Sequence, residues 1–225
     1  MIKIENTLVY NIKQALKGMR NPLESWGKSD SVFNKNDNLI SLGENDKKLA
    51  INLIKAGQDH SKFLRQIFVC VDITAPLYWW KEMDQYKIST TTNSTSTMHT
   101  LCNKPLTKDD FSWDVPMTTF RINTLDYLNK RIERYNLLKK EEPRQAQRLW
   151  REIIQDLPSS FNQLRTWTGN YQNLRNIYFA RENHKLEEWF IFRGWVGTLP
   201  FADDLITVNP WYIDKIKRLE NEIKK

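Results

Sequence analysis

The 225 residues carry 40% hydrophobic and 27% charged side chains, a globular balance that excludes a disordered, collagen-like or fibrous chain and suits one compact domain with a substantial core. The formal net charge of +7 attracts polyanions in general, but the basic residues are spread along the chain without an arginine-rich arm, zinc finger or RNA-recognition pattern, so nucleic acid is not the expected partner. Cys70 and Cys102 supply neither a disulfide framework nor zinc-ligand spacing, and His60, His99 and His184 lie too far apart to argue for a metal triad, so no metal site is expected.

Taken in chain order, residues 8–19 place Leu8, Ile12, Leu16 and Met19 three or four apart, the stripe of an amphipathic helix that Asn21 and Pro22 end. The same N-terminal stretch lacks a signal-peptide core, and no run approaches a membrane span, so a cytoplasmic chain is expected. The polar run over 27–46 reads as loop, and 46–57 as a short helix with an acidic start and a glycine stop. Over 66–74, Ile67, Val69, Val71 and Ile73 alternate with Phe68, Cys70 and Asp72, which predicts a strand broken at Ala75 and Pro76. A helix follows, with Pro76 in its first turn. Ser89 to Thr100 holds ten hydroxyl or amide side chains in twelve residues. It reads as a polar surface loop, or as a lining for an anion or nucleotide pocket.

From Thr124 to Asp156 the pattern is helical. One stripe holds Leu125, Leu128, Ile132, Tyr135 and Leu138, another Ala146, Leu149, Trp150, Ile153 and Ile154, with Pro143 between them. Further helices are predicted over 170–180, 185–196 and, at the tail, 209–225. No P-loop, Gly-x-Gly-x-x-Gly or Gly-x-Ser-x-Gly occurs, and seven glycines leave little for a phosphate cradle. Asp203–Asp204 and Glu187–Glu188 read as solvated pairs. Spacing alone names no active site.

Two blocks of the chain carry a family likeness. His60 through the 66–74 strand to Ala75, Pro76, Leu77, Tyr78, Trp79 and Trp80 is one. The other is Leu157–Pro158, Trp167–Thr168, Asn170, Leu174, Asn176, Arg181 and His184. Together with the helix ending at Gly57, they resemble in order and spacing the flavin-dependent thymidylate synthases, over roughly residues 10–197. The resemblance implies an α+β fold, a single domain with a small, mainly antiparallel sheet packed by helices. It also implies FAD, NADPH and methylenetetrahydrofolate as cofactors, a pyrimidine deoxynucleotide as substrate, and a homotetramer. By resemblance, His60, Tyr86, Lys87, Asn93, Asn170 and Asn176 contact the flavin, Arg181 holds the pyrimidine, and Glu82, Gln85, Thr95, Ser96, Thr97 and Arg151 face the nucleotide.

The chain departs from the family where an Arg-His-Arg-x-x-Ser-x-Asn-Glu-x-Ser-x-Arg-Tyr signature is expected. The stretch from Gln85 to Met98 has no arginine, and Lys87 is its one cation. Neutral hydroxyls cannot make the charge-assisted contacts that an arginine offers a phosphate, unless Lys87, Arg148 or Arg151 takes over. Two readings follow: an enzyme transferring one carbon with flavin-mediated hydride transfer, or a binding protein that keeps the fold and has lost the reaction. A basic nucleic-acid-binding protein is the third and weakest. Arg181 can alternatively cap its helix or pair with Glu182 or Glu187, and Asn170 can be an N-cap. Trp79, Trp80, Trp189 and Trp195 look exposed, as for a subunit interface, or fill one large core. The wealth of Asn, Lys and Ile fits a low-GC, phage-like genome.

Overall fold

The computed structural model describes residues 2–114 and 116–212. It opens with a strand where periodicity predicts a helix: β1 is Lys3–Tyr10 and α1 is Ile12–Gly18. Between them Asn11 sits at φ 71°, a left-handed conformation that asparagine tolerates and a continuing helix does not. Leu8 therefore falls in the strand, half-exposed, and the buried helical stripe is Ile12, Ala15, Leu16 and Met19.

The polar run after it is not all loop. β2 (Val32–Phe33) pairs antiparallel with β3 (Leu39–Ser41), closed by the Asn34 side chain accepting the N–H groups of Asn36 and Asn38 at 2.9 Å. Such self-bonding is the turn chemistry of asparagine. α2 (Glu44–Lys55) follows, as expected. Asp30 caps it from a distance by accepting the N–H groups of Asn45 and Asp46 at 3.0 and 3.1 Å. β4 (Phe68–Pro76) buries Val69, Val71, Ile73 and Ala75 and turns Phe68 outward. It runs through Pro76, which is the N-cap of α3 (Leu77–Met83) and stands outside its first turn.

The Ser/Thr-rich segment also departs from the loop reading: β5 is Thr91–Ser94 and α4 is Thr97–Thr100. Threonine is β-branched and suits a strand surface. The expected helical hairpin resolves into α5 (Thr119–Leu138) and α6 (Pro143–Asp156), with proline in the first turn of α6. β6 (Asn162–Asn170) leads into α7 (Tyr171–Ala180), α8 (Glu187–Gly197) and α9 (Ala202–Leu205). The expected tail helix falls largely outside the described residues. The α+β expectation holds: the main sheet is antiparallel, in the order β1-β4-β6-β5.

Contacts divide the chain into two compact units, one of Met1–Glu5, Asp72–Tyr86 and Thr92–Trp167, the other of Asn6–Val71, Lys87–Thr91 and Thr168–Lys225. In the first, Leu101, Leu106 and Phe111 pack with Leu128 and Ile132 of α5 and Ile153 of α6. Asn129 fixes this layer by bonding both the N–H and the carbonyl of Leu106, at 2.7 and 2.9 Å. Trp79 and Trp80 are fully buried.

In the second unit, Leu16, Ala50, Leu64, Ile67, Leu174, Ile177, Trp189 and Phe192 have little or no exposure. Tyr171 is buried too, donating its hydroxyl to the Pro200 carbonyl at 2.8 Å. Burial pushes its phenol well above the ordinary value. Trp79, Trp80 and Trp189 thus belong to the interior of a single chain, not to a waiting interface. Trp195 is half-buried, with its indole donating to Thr7 at 3.0 Å. Among the described residues no helix is long and apolar enough to cross a membrane.

Candidate functional site

In the first unit, the Thr95–Thr97 part of the segment that departs from the family signature is tied to β6. Thr95 donates its backbone N–H and its hydroxyl to the Leu164 carbonyl, at 2.9 and 3.3 Å. The Ser96 hydroxyl caps α4 by accepting the N–H of His99. The carboxamide of Gln163 donates to the Thr95 carbonyl at 2.8 Å and to the Thr97 hydroxyl at 3.3 Å. Of the residues matched to the substrate contacts, Thr95, Ser96 and Thr97 are therefore engaged by bonds that build a sheet edge and cap α4.

Arg165 completes the cluster, and nothing in the sequence marks it. Its guanidinium lies 4.4 Å over the Trp80 ring. Nε donates to Gln163 at 3.0 Å and Nη1 to Asp84 at 2.8 Å. The indole of Trp80 in turn donates to the Gln163 carbonyl at 2.9 Å. A planar cation stacked on a buried indole and bonded in its own plane has little freedom left. The usable signal is the strand alternation of Gln163, Arg165 and Trp167, which is legible only once β6 is known to be a strand. Glu82 is half-buried on α3, Tyr86 half-buried beyond it, and Gln85, Asn93 and Arg151 are exposed, Arg151 on the outer face of α6.

The second unit holds His60, Lys87, Asn170, Asn176 and Arg181. Asn170 is 2% exposed and is the N-cap of α7. Its side chain accepts the Asn173 N–H at 3.0 Å while Asn173 accepts that of Asn170 at 3.1 Å, a reciprocal capping box. One end of Asn170 is thus committed to starting the helix. Asn176, further along α7 and exposed, accepts from Gln172 at 2.9 Å. His60 and Lys87 are exposed, and among the described residues neither side chain has a hydrogen-bond or ionic partner.

Arg181 occupies the C-cap of α7, with its backbone N–H on the Ile177 carbonyl at 2.9 Å. Its guanidinium is half-buried and lies 4.5 Å over the ring of Trp189, which is wholly buried at the start of α8. A guanidinium over an indole makes a cation–π contact, and its planar fork is the shape that matches a carbonyl edge. Glu182 lies 3.7 Å from Arg193.

No protein-family model matches the chain, and no curated protein matches it in sequence. Among solved structures it is similar to thymidylate synthase X (ThyX) from Helicobacter pylori with FAD and dUMP, at a TM-score of 0.66 and 16% identity over 92% of this chain and 98% of that one. A second crystal structure, of the flavin-dependent thymidylate synthase ThyX from the same organism complexed with FAD and dUMP, gives 0.65 and 16% over 91% and 98%. At such identity likeness speaks of the backbone path: the chain has a fold like that of flavin-dependent thymidylate synthase.

Proposed function

We propose that this chain is a thymidylate-synthase-like flavoprotein that binds FAD and a pyrimidine deoxynucleotide and moves a one-carbon unit to the base. The observation that carries the reading is Arg181, its guanidinium 4.5 Å over the ring of the buried Trp189, at the position matched to the arginine that holds the pyrimidine. A guanidinium there stabilises negative charge developing on the carbonyl edge of a uracil ring. The donor set of the second unit fits an anionic dinucleotide in sign: Lys87 brings an ammonium, His60 an imidazole and Asn176 an amide nitrogen, with no carboxylate among them. With Tyr86 and Asn93 they are the residues that would hold FAD. Asn170 serves the same end indirectly, because its capping box sets the start of the helix that carries Asn176 and Arg181.

Bound FAD would supply hydride, with NADPH and methylenetetrahydrofolate as co-reactants. Glu82, Gln85, Thr95, Ser96, Thr97 and Arg151 would face the nucleotide, in a cytoplasmic homotetramer. The test is the colour and the ligand of the purified protein: flavin absorption in the visible, and saturable dUMP binding that alters it. A colourless protein that takes up no added FAD rejects the reading.

One observation favours a second reading, a nucleotide-binding protein without the reaction. The Thr95, Ser96 and Thr97 side chains are already engaged in bonds to the sheet and to α4. Nucleotide binding without nucleotide-dependent flavin oxidation would select it.

A further inference from the structure

The second unit contains a cavity of about 340 Å³ remote in sequence from every residue matched to FAD or nucleotide. Its size falls in the lower part of the range for small-molecule sites. Leu16, Trp26 and Phe33 supply apolar walls and Lys13, Lys17 and Arg20 supply cations. The β2–β3 hairpin contributes Phe33.

The walls are fixed from behind. Asp46 has no exposure and joins three segments: Nε and Nη2 of Arg20 lie 2.6 Å from its Oδ1, and the hydroxyls of Ser29 and Ser31, also on the cavity, donate to Oδ2 at 2.7 and 2.6 Å. The Trp26 indole is oriented by its bond to Asn21 at 2.9 Å. Lys13 is held by Asp37 at 2.5 Å, with its ammonium 5.8 Å from the Phe33 ring centre. Preorganised walls lower the ordering cost of binding.

The charges select the ligand. Arg20 is neutralised by Asp46 and Lys13 by Asp37, whereas Lys17 is exposed with no hydrogen-bond or ionic partner among the described residues. One unpaired cation beside two aromatic rings matches a ring system bearing a single negative charge. A phosphate monoester carries nearly two.

We propose that this cavity binds a small planar aromatic monoanion, its ring against Trp26 and Phe33 and its carboxylate at Lys17. The probe is 2-naphthoate, titrated calorimetrically into the full-length protein and compared with uncharged 2-naphthalenemethanol and with 2-naphthyl phosphate. Saturable naphthoate binding is expected, weakened about tenfold or more by Lys17→Gln, as for loss of one charge-assisted contact, and by Trp26→Leu. The methanol should bind more weakly and the phosphate no more tightly. Lys17 also lies in the last turn of α1, where a cation favours the helix. A solely structural role would lower the melting temperature of Lys17→Gln and leave naphthoate affinity unchanged. Since Lys17 is exposed, that variant keeps the test decisive should Trp26→Leu not fold. Absence of saturable naphthoate binding at millimolar concentration, insensitivity to Lys17→Gln, or tighter binding of the phosphate would overturn the proposal.

Discussion

Arg181 sits on the surface of the core and not inside it, so its removal separates fold from function. Arg181→Ala should leave the thermal transition nearly unmoved while weakening dUMP binding by about ten- to a hundredfold, the span of one charged hydrogen bond. Arg181→Lys should not restore it, because an ammonium lacks the planar fork and stacks less well on an indole. Calorimetric titration with dUMP checks both, and wild-type affinity in Arg181→Ala would assign the arginine to its Trp189 stack alone. Asp46 is the opposite kind of residue. Burial pushes its carboxyl up, but the bonds from Ser31, Ser29 and Arg20 outweigh this and hold it below the ordinary value of 3.8. The carboxylate therefore stabilises the fold at every pH above that value, and the contribution is lost as pH falls below it. Asp46→Ala leaves Arg20 buried without its counter-charge and should cost about 3–5 kcal/mol in denaturant unfolding. A loss under 1 kcal/mol would mean that water reaches Arg20.

Elements differ in how plainly the chain announces them. Ile67, Val69, Val71 and Ile73 alternate without exception, so β4 is legible, and Leu128, Ile132 and Ile153 mark the α5–α6 pair equally well. β6 escapes notice because its inward positions hold Gln163, Gly169 and Asn170 beside Trp167. β1 is masked by a coincidence of spacing between Leu8 and Ile12 that the left-handed Asn11 cancels. The candidate site suffers from the same gap: His60, Lys87 and Arg181 are reachable by motif, but Arg165 requires knowing which strand lies beside Thr95. Gly43, the N-cap of α2, has an equally specific need. A Cβ there would lie 2.1 Å from Oδ1 of Asp30 and 2.5 Å from its backbone carbon. Gly43→Ala should therefore displace the Asp30 cap and destabilise the protein by about 1–3 kcal/mol, measured as a lower denaturation midpoint. The Gln85–Met98 stretch poses the converse question of what a restored charge does. Gln85→Arg with Thr97→Arg should raise dUMP affinity about tenfold or more in the same titration. No gain over a wild type that already binds tightly would show that Lys87 or Arg151 fills the role.

At the scale of the molecule, Trp79, Trp80 and Trp189, which looked available for assembly, turn out to be interior and Trp195 half-buried, so the proposed tetramer would have to use other surfaces. The proposed tetramer is checked by sedimentation at micromolar concentration, where a monomer would overturn it. Burial of the large rings also has an optical consequence. Trp79, Trp80, Trp167 and Trp189 are at most 1% exposed, whereas Trp26 and Trp211 are 45% and 67% exposed. Emission of the folded protein should thus divide into a blue, acrylamide-resistant population and a red, readily quenched one. On unfolding the first should merge into the second, so that a single steady-state quenching curve reports how much of the interior has opened to water.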